Sequence, residues 1–183
     1  MATSTPAYLA TIRGIDKFTE YTAYVFCLLN LPLIGANTWE VISRYGFGEP
    51  TEWALDTTTQ SYGAMFMLGA AYALSKGAHV RTDMLWDKYS ERKKGMIDLG
   101  SYLLLFFPVM ITLMVISIDD AWYAYQIGET SEQSPWRPIL WPFRASVPLA
   151  ALLFMVQGVS ESLKCWYQIR FDREFEHREK VEV

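Results

Sequence analysis

The sequence predicts an all-α integral membrane protein: four transmembrane helices, both termini cytoplasmic, and an interfacial amphipathic helix in the middle loop. Three observations carry that prediction. Four stretches, Tyr21 to Trp39, Thr57 to Ser75, Leu99 to Ile118 and Ala145 to Ser160, contain no Asp, Glu, Lys, Arg or His. Thirteen of the 16 Lys and Arg residues fall on one side of the topology those stretches imply. None of the seven Trp residues lies deep within a proposed span. The net charge of −4 and mean hydropathy of +0.08 resemble those of a soluble domain only because the 16 basic and 20 acidic residues are concentrated between the stretches. This pattern argues against disorder, collagen-like sequence and a nucleic-acid-binding domain.

At about 1.5 Å per residue, the first three stretches, roughly 19 to 20 residues each, cross about 30 Å of hydrocarbon. The fourth is shorter and needs its flanks. With flanks included, the expected spans are 18–40, 54–76, 97–119 and 143–166, in a single membrane domain 1–183 that ends in a cytoplasmic tail, 167–183. The basic residues lie in the N-terminus (Arg13, Lys17), the middle loop (Lys76 to Lys94) and the tail, leaving only Arg44, Arg137 and Arg144 on the opposite side. Cytoplasmic loops carry the Lys and Arg excess, which fixes the orientation. Trp and Tyr favour the headgroup level, and Trp39, Trp53, Trp122, Trp136 and Trp141 fall at the outer edge, Trp86 and Trp166 at the inner.

Residues 1–17 are polar and are expected to include a short helix on the inner surface. The apolar run that follows exceeds the roughly 7 to 15 residues of a signal-peptide core, so the first span is expected to remain in the mature protein. Pro32 lacks a backbone donor and predicts a kink, with Asn30 either bonding across a helix interface or covering the opened backbone. Gly46, Gly48 and Pro50 make a turn-rich outer loop. In the second span Gly69, Ala73 and Gly77 recur every four residues, a stripe along which another helix can approach closely.

The middle loop, Lys76 to Asp98, mixes Met84, Leu85, Trp86 and Tyr89 with Lys88, Arg92, Lys93 and Lys94, the pattern of an interfacial helix. Trp86, Lys88, Arg92, Lys93 and Lys94 are its candidate lipid contacts. The third span contains Pro108 and ends at Asp119 and Asp120. The connection Ala121 to Arg144 is long and aperiodic, so it is expected to be functional or docked. Glu161 and Lys164 are three apart and can face each other.

Several chemistries find no support. His79 and His177 both lie outside the hydrocarbon, which disfavours haem ligation within the bundle. There is no CxxC, HExxH, GxSxG or P-loop, and Cys27 and Cys165, at different depths, read as packing residues. No acidic or basic residue occupies a span centre, where an ion-coupled carrier commonly has one. The chain is expected to be neither an enzyme nor a carrier by itself.

The segments Arg44-Tyr45-Gly46-Phe47, Pro50, Trp53, Gly69-Ala70-Ala71-Tyr72-Ala73-Leu74 and Gly77-Ala78-His79-Val80-Arg81-Thr82-Asp83 occur in that order. Gly128-Glu129-Thr130-Ser131, the prolines before the last span and Gln157-Gly158 follow. Across residues 15–165 this set resembles the small membrane subunit, DctQ-like, of tripartite ATP-independent periplasmic (TRAP) transporters. The resemblance implies a bacterial inner-membrane subunit that pairs with a large multi-span subunit, while a soluble periplasmic protein captures the solute. It further implies that sodium and solute sites, and an elevator-like movement, belong to the large subunit, that the small subunit braces it, and that the cargo is an organic acid. No cofactor is expected in this chain.

On that reading Arg44, Trp53, Asp56, Gly69, Ala73, Gly77, His79, Arg81 and Asp83 are candidate structural or partner-interface residues. Arg44 sits among Glu49, Glu52 and Asp56, where a guanidinium can bind a carboxylate and fix the first hairpin. Asp83 is placed to cap the interfacial helix, and Arg81 to meet a lipid phosphate or the partner. Two alternatives stand beside this. One is a self-assembling carrier or channel lined by Asn30, Gln60 and Gln157; the other is a membrane anchor of a redox complex.

Overall fold

Pro32 divides the first predicted span into two helices in the structure, a computed structural model that describes residues 7–77, 89–173 and 175. Helix α1 (Ala7–Cys27) ends in a tight turn, with Leu28 N donating to Val25 O at 3.2 Å and Leu29 N to Phe26 O at 3.0 Å. Helix α2 (Asn30–Ile42) then restarts with Pro32 in its first turn, where a missing N–H leaves no helical bond unmade. Asn30 neither crosses an interface nor covers the backbone: its amide donates to Cys27 Sγ at 3.6 Å. A π-helical turn (Ser43–Phe47) closes α2.

Helix α3 (Ala54–Ser75) follows, and its three consecutive threonines are locally satisfied. Thr57 and Thr59 donate to the carbonyls of Trp53 and Leu55, while Thr58 Oγ1 accepts from Asn37 Nδ2 at 3.1 Å. Helix α4 (Glu91–Ser101), a π-helical turn (Tyr102–Phe106) and helix α5 (Phe107–Ile127) form one helical stretch of 37 residues. The π turn lies just before Pro108, which cannot donate to the carbonyl four residues back. Gly128, at φ 61°, caps α5 in the left-handed region, and Glu129 N reaches back to Ala124 O at 3.0 Å. Helix α6 (Trp141–Phe171) contains Pro148.

One expectation needs correction. The polar start is not a separate surface helix, because residues from Ala7 onward are the first turns of α1 and Ile12 is fully buried. In the middle loop, residues 91–98 continue directly into the third long helix. The rest of that loop, residues 78–88, lies outside the described residues.

By length and composition, Tyr8–Phe47, Glu91–Ile127 and Trp141–Phe171 can cross a membrane. Helix α3, with 22 residues, has the length but is not among these three. Small and polar side chains fill the interior: Ala54, Ala71, Ala124, Ala150, Ala151, Ser117, Gln157 and Ser160 are buried. Large apolar ones lie outside, with Leu104 exposed to 77% and Phe66 to 69%. In water each such side chain would forgo roughly 1.5–3 kcal/mol of burial. Hydrocarbon removes that penalty and leaves close packing of small residues as the attraction between helices.

The chain divides into two compact units. The first comprises residues 1–21, 70–112 and 152–183. Within it the Phe106 ring fills the notch left by Gly158, and Gly95 packs on the Cys165 carbonyl, which a Cβ there would approach to 3.0 Å. The second comprises residues 22–69 and 113–151. In this unit Phe143 packs on Gly63, where a Cβ would come within 2.7 Å of the ring, and Tyr125 meets Trp141 edge-on at 5.6 Å.

Candidate functional site

Each unit holds a buried carboxylate with long-range partners. In the second unit, Asp56 is 1% exposed and sits in the first turn of α3. Its two oxygens accept from the hydroxyls of Ser131 and Ser134. Those serines belong to the connection 128–140, which closes on itself through Ser131 N to Pro138 O at 2.8 Å and Leu140 N to Glu129 O at 2.9 Å. The long outer connection is therefore docked, with α3 as its anchor. Arg144 holds its base, binding both Asp120 oxygens at 2.6 Å and Glu129 at 2.5 Å.

Arg44 pairs with Glu40 rather than with Glu49, Glu52 or Asp56. Glu40 Oε1 accepts from Arg44 Nε at 2.9 Å, while Oε2 accepts from the Thr51 backbone at 2.9 Å and from its hydroxyl. Glu40 is thus the hub that ties the end of α2 to the turn before α3, and its hydrogen bond raises the Arg44 guanidinium above its ordinary pKa. The i,i+4 spacing of Glu40 and Arg44 was the available sequence signal. Trp53 is 37% exposed, and its carbonyl receives both the amide and hydroxyl of Thr57. A cleft of about 460 Å³ opens here, between Asn37, Arg44 and Thr58 on one side and Gln133 and Pro135 on the other.

In the first unit Gln157 is the organising side chain, fully buried. It accepts from Thr19 Oγ1 at 2.8 Å and donates to Asp16 at 2.9 Å and Glu161 at 3.1 Å. Lys164 Nζ reaches both carboxylates, Asp16 and Glu161, at 2.8 Å each, and Ser160 adds a bond to Asp16 at 2.8 Å. The Glu161 and Lys164 pairing matches the sequence expectation; Asp16 was missed because 141 residues separate it from Gln157. With its polar atoms engaged in this cluster, Gln157 does not line an open path. At the start of α4, Glu91 accepts from Lys94 at 2.7 Å and Gln168 at 2.6 Å, and those bonds, Lys94 first, hold its carboxyl below the usual range.

The small-residue stripe resolves unevenly. Among the described residues, nothing beyond its own helix backbone lies within 4 Å of a Cβ placed at Gly69, and Ala73 is half-buried. Gly77 lies beyond the end of α3, turning the chain at φ 68°. The close approaches within the chain use Gly63, Gly95 and Gly158 instead. Arg92 and Lys93 are exposed, whereas Lys94 is engaged with Glu91. His79, Arg81, Asp83, Trp86 and Lys88 lie outside the described residues. Among the described residues no cluster of three His, Cys, Asp or Glu side chains is placed to hold a metal ion.

The polar clusters join helices and loops of this chain to one another. A family model for the DctQ component of tripartite ATP-independent periplasmic transporters matches residues 33–167. The chain is also similar to the sialic acid TRAP transporter small permease protein of Vibrio cholerae, 20% identical over 154 residues, covering 74% of this chain and 85% of that one. No solved structure matches. Since the family match extends over well more than half of the sequence and takes in the docked connection together with Gln157, Glu161 and Lys164, the chain belongs to the DctQ family, the small permease component of TRAP transporters.

Proposed function

We propose that this chain is the stationary brace of a TRAP transporter in the bacterial inner membrane. In this reading it crosses four times, over 18–40, 54–76, 97–119 and 143–166, with both termini in the cytoplasm. It pairs with a large multi-span subunit, which carries out sodium-coupled uptake of an organic acid delivered by a periplasmic binding protein. The observation that carries the proposal is the inverted distribution of side chains: a small and polar interior beneath a broad apolar surface. None of the most apolar window of Glu91–Ile127 is buried, so lipid or another subunit must cover it.

Gly69 supports a partner contact, because a Cβ placed there meets no described residue within 4 Å beyond its own helix backbone. His79, Arg81 and Asp83 are assigned to the cytoplasmic edge of the same interface by sequence alone. Replacing Gly69 by Leu is expected to leave the thermal stability of the isolated chain unchanged and to reduce recovery of the large subunit in co-purification. Equal recovery would remove Gly69 from the interface. Docking of the binding protein through an acidic outer face is best probed at Glu132, which is exposed, since Glu129 is committed to Arg144.

A further inference from the structure

Of the three arginines on the outer side of the expected topology, two are engaged, Arg44 with Glu40 and Arg144 with Asp120 and Glu129. Arg137 is exposed, and among the described residues no hydrogen bond or ion pair holds its side chain. Its backbone is unusual as well. At φ 47° it occupies the left-handed region that side-chain-bearing residues rarely adopt, although the Pro138 that follows favours extended backbone. The turn around it enforces that conformation: Arg137 N donates to Ser134 O at 3.3 Å, Ser131 N to Pro138 O at 2.8 Å, and Thr130 bridges to Ile139. Backbone held in this way is found where a side chain is presented to a ligand.

We propose that this tip of the docked connection, Trp136 to Ile139, anchors the chain in the outer phospholipid leaflet, with the Arg137 guanidinium bonded to a lipid phosphate. This rests on the reading of 54–76 and 143–166 as membrane spans. Depth is the first argument. Ser131 and Ser134 bind Asp56 at the start of the second span, and Glu129 binds Arg144 at the start of the fourth. The connection is thereby tied to the hydrocarbon edge, where a headgroup layer of roughly 5 to 8 Å begins. Composition is the second, since Trp136 is 52% and Ile139 56% exposed on either side of Arg137. Water would leave both apolar surfaces uncovered, whereas the boundary of headgroups and acyl chains covers them and sets phosphates beside them. Charge is the third: a planar guanidinium makes paired hydrogen bonds to phosphate oxygens.

The test uses the full chain with any co-eluting subunits, reconstituted in phospholipid bilayers. A nitroxide is attached at Ile139→Cys in a Cys27→Ala background, and Cys165, being buried, stays unlabelled. Its collisions with oxygen, which enters lipid, and with a nickel chelate, which stays in water, report its depth. Oxygen collisions are expected to exceed nickel collisions at 139, and to exceed them further at Val109→Cys, an exposed position in mid-span. Free nickel access at 139, or exclusion of both reagents by a covering protein, would overturn the anchor while shielding at 109 leaves the span standing. Nickel access at 109 would refute the span, and the anchor with it. The arginine is read separately in maltoside detergent, which carries no phosphate. Adding phospholipid should raise the melting temperature less for Arg137→Gln than for the unmodified chain, and Arg137→Lys should recover the difference. An equal rise for Arg137→Gln would overturn the phosphate contact.

Discussion

The two units bury carboxylates by different means. Asp56 is held by two neutral hydroxyls, whereas Asp16 and Glu161 share the ammonium of Lys164. Helix position accounts for the difference. Asp56 lies in the first turn of α3, where free amide groups and the aligned peptide dipoles already supply positive potential. Asp16 is in the middle of α1 and Glu161 in the C-terminal third of α6, where the backbone offers a negative charge nothing or opposes it. Glu161, buried there, needs a real counter-ion, which the half-buried Asp16 shares. A loop can therefore be docked at a helix start with serines alone, but joining two helix interiors takes a cation and an amide.

Substitutions can break that contrast, the largest effect being expected at Lys164. Lys164→Met removes the cation shared by two carboxylates, and about 3 kcal/mol of stability should go with it. Thermal unfolding in detergent measures this; a loss below about 0.5 kcal/mol, the size of an exposed pair, would mean that the cation is not the essential member. Asp56→Ala comes next. It leaves the buried Ser131 hydroxyl without its acceptor, at a cost of about 2 kcal/mol, and should expose the 128–140 connection to protease while the Gln157 cluster stays intact. Protease resistance equal to that of the unmodified chain would show that the loop closes without its anchor.

Arg44→Ala should be milder, with little change in the melting temperature, because the Arg44 side chain is 56% exposed and Glu40 keeps both donors of Thr51. The same variant probes assembly, and undiminished co-purification would remove Arg44 from the interface. The smallest effect is a pH dependence from Glu91. Its folded pKa is lowered, so its contribution is complete above the ordinary carboxylate value and fades as pH falls through the folded one. Glu91→Gln should flatten that acid limb slightly, and an unchanged limb would assign it to other groups.

The helices were legible because charge-free runs and basic loops report directly on the solvent around each segment. Local pairs were legible for a related reason: Glu161 with Lys164, and Glu40 with Arg44, follow from helical spacing. Contacts spanning long separations were not legible. Nothing in the sequence around Asp16 names Gln157, and nothing near Asp56 names Ser131 and Ser134, 75 and 78 residues away. Asn37, not Asn30, makes the contact between α2 and α3, because which amide faces a neighbouring helix depends on rotation about the helix axis. The glycine stripe is limited in a similar way, as spacing identifies a smooth face without saying what lies against it.

The account's central claim is that this apolar surface is built to be covered by a larger membrane subunit. Affinity purification of the chain from its native membrane in mild detergent, with mass spectrometry of whatever co-elutes, tests that claim most directly. A much larger, multi-span partner in roughly equal amount is the predicted result. Recovery of self-oligomers alone, after extraction verified to be gentle, would contradict it.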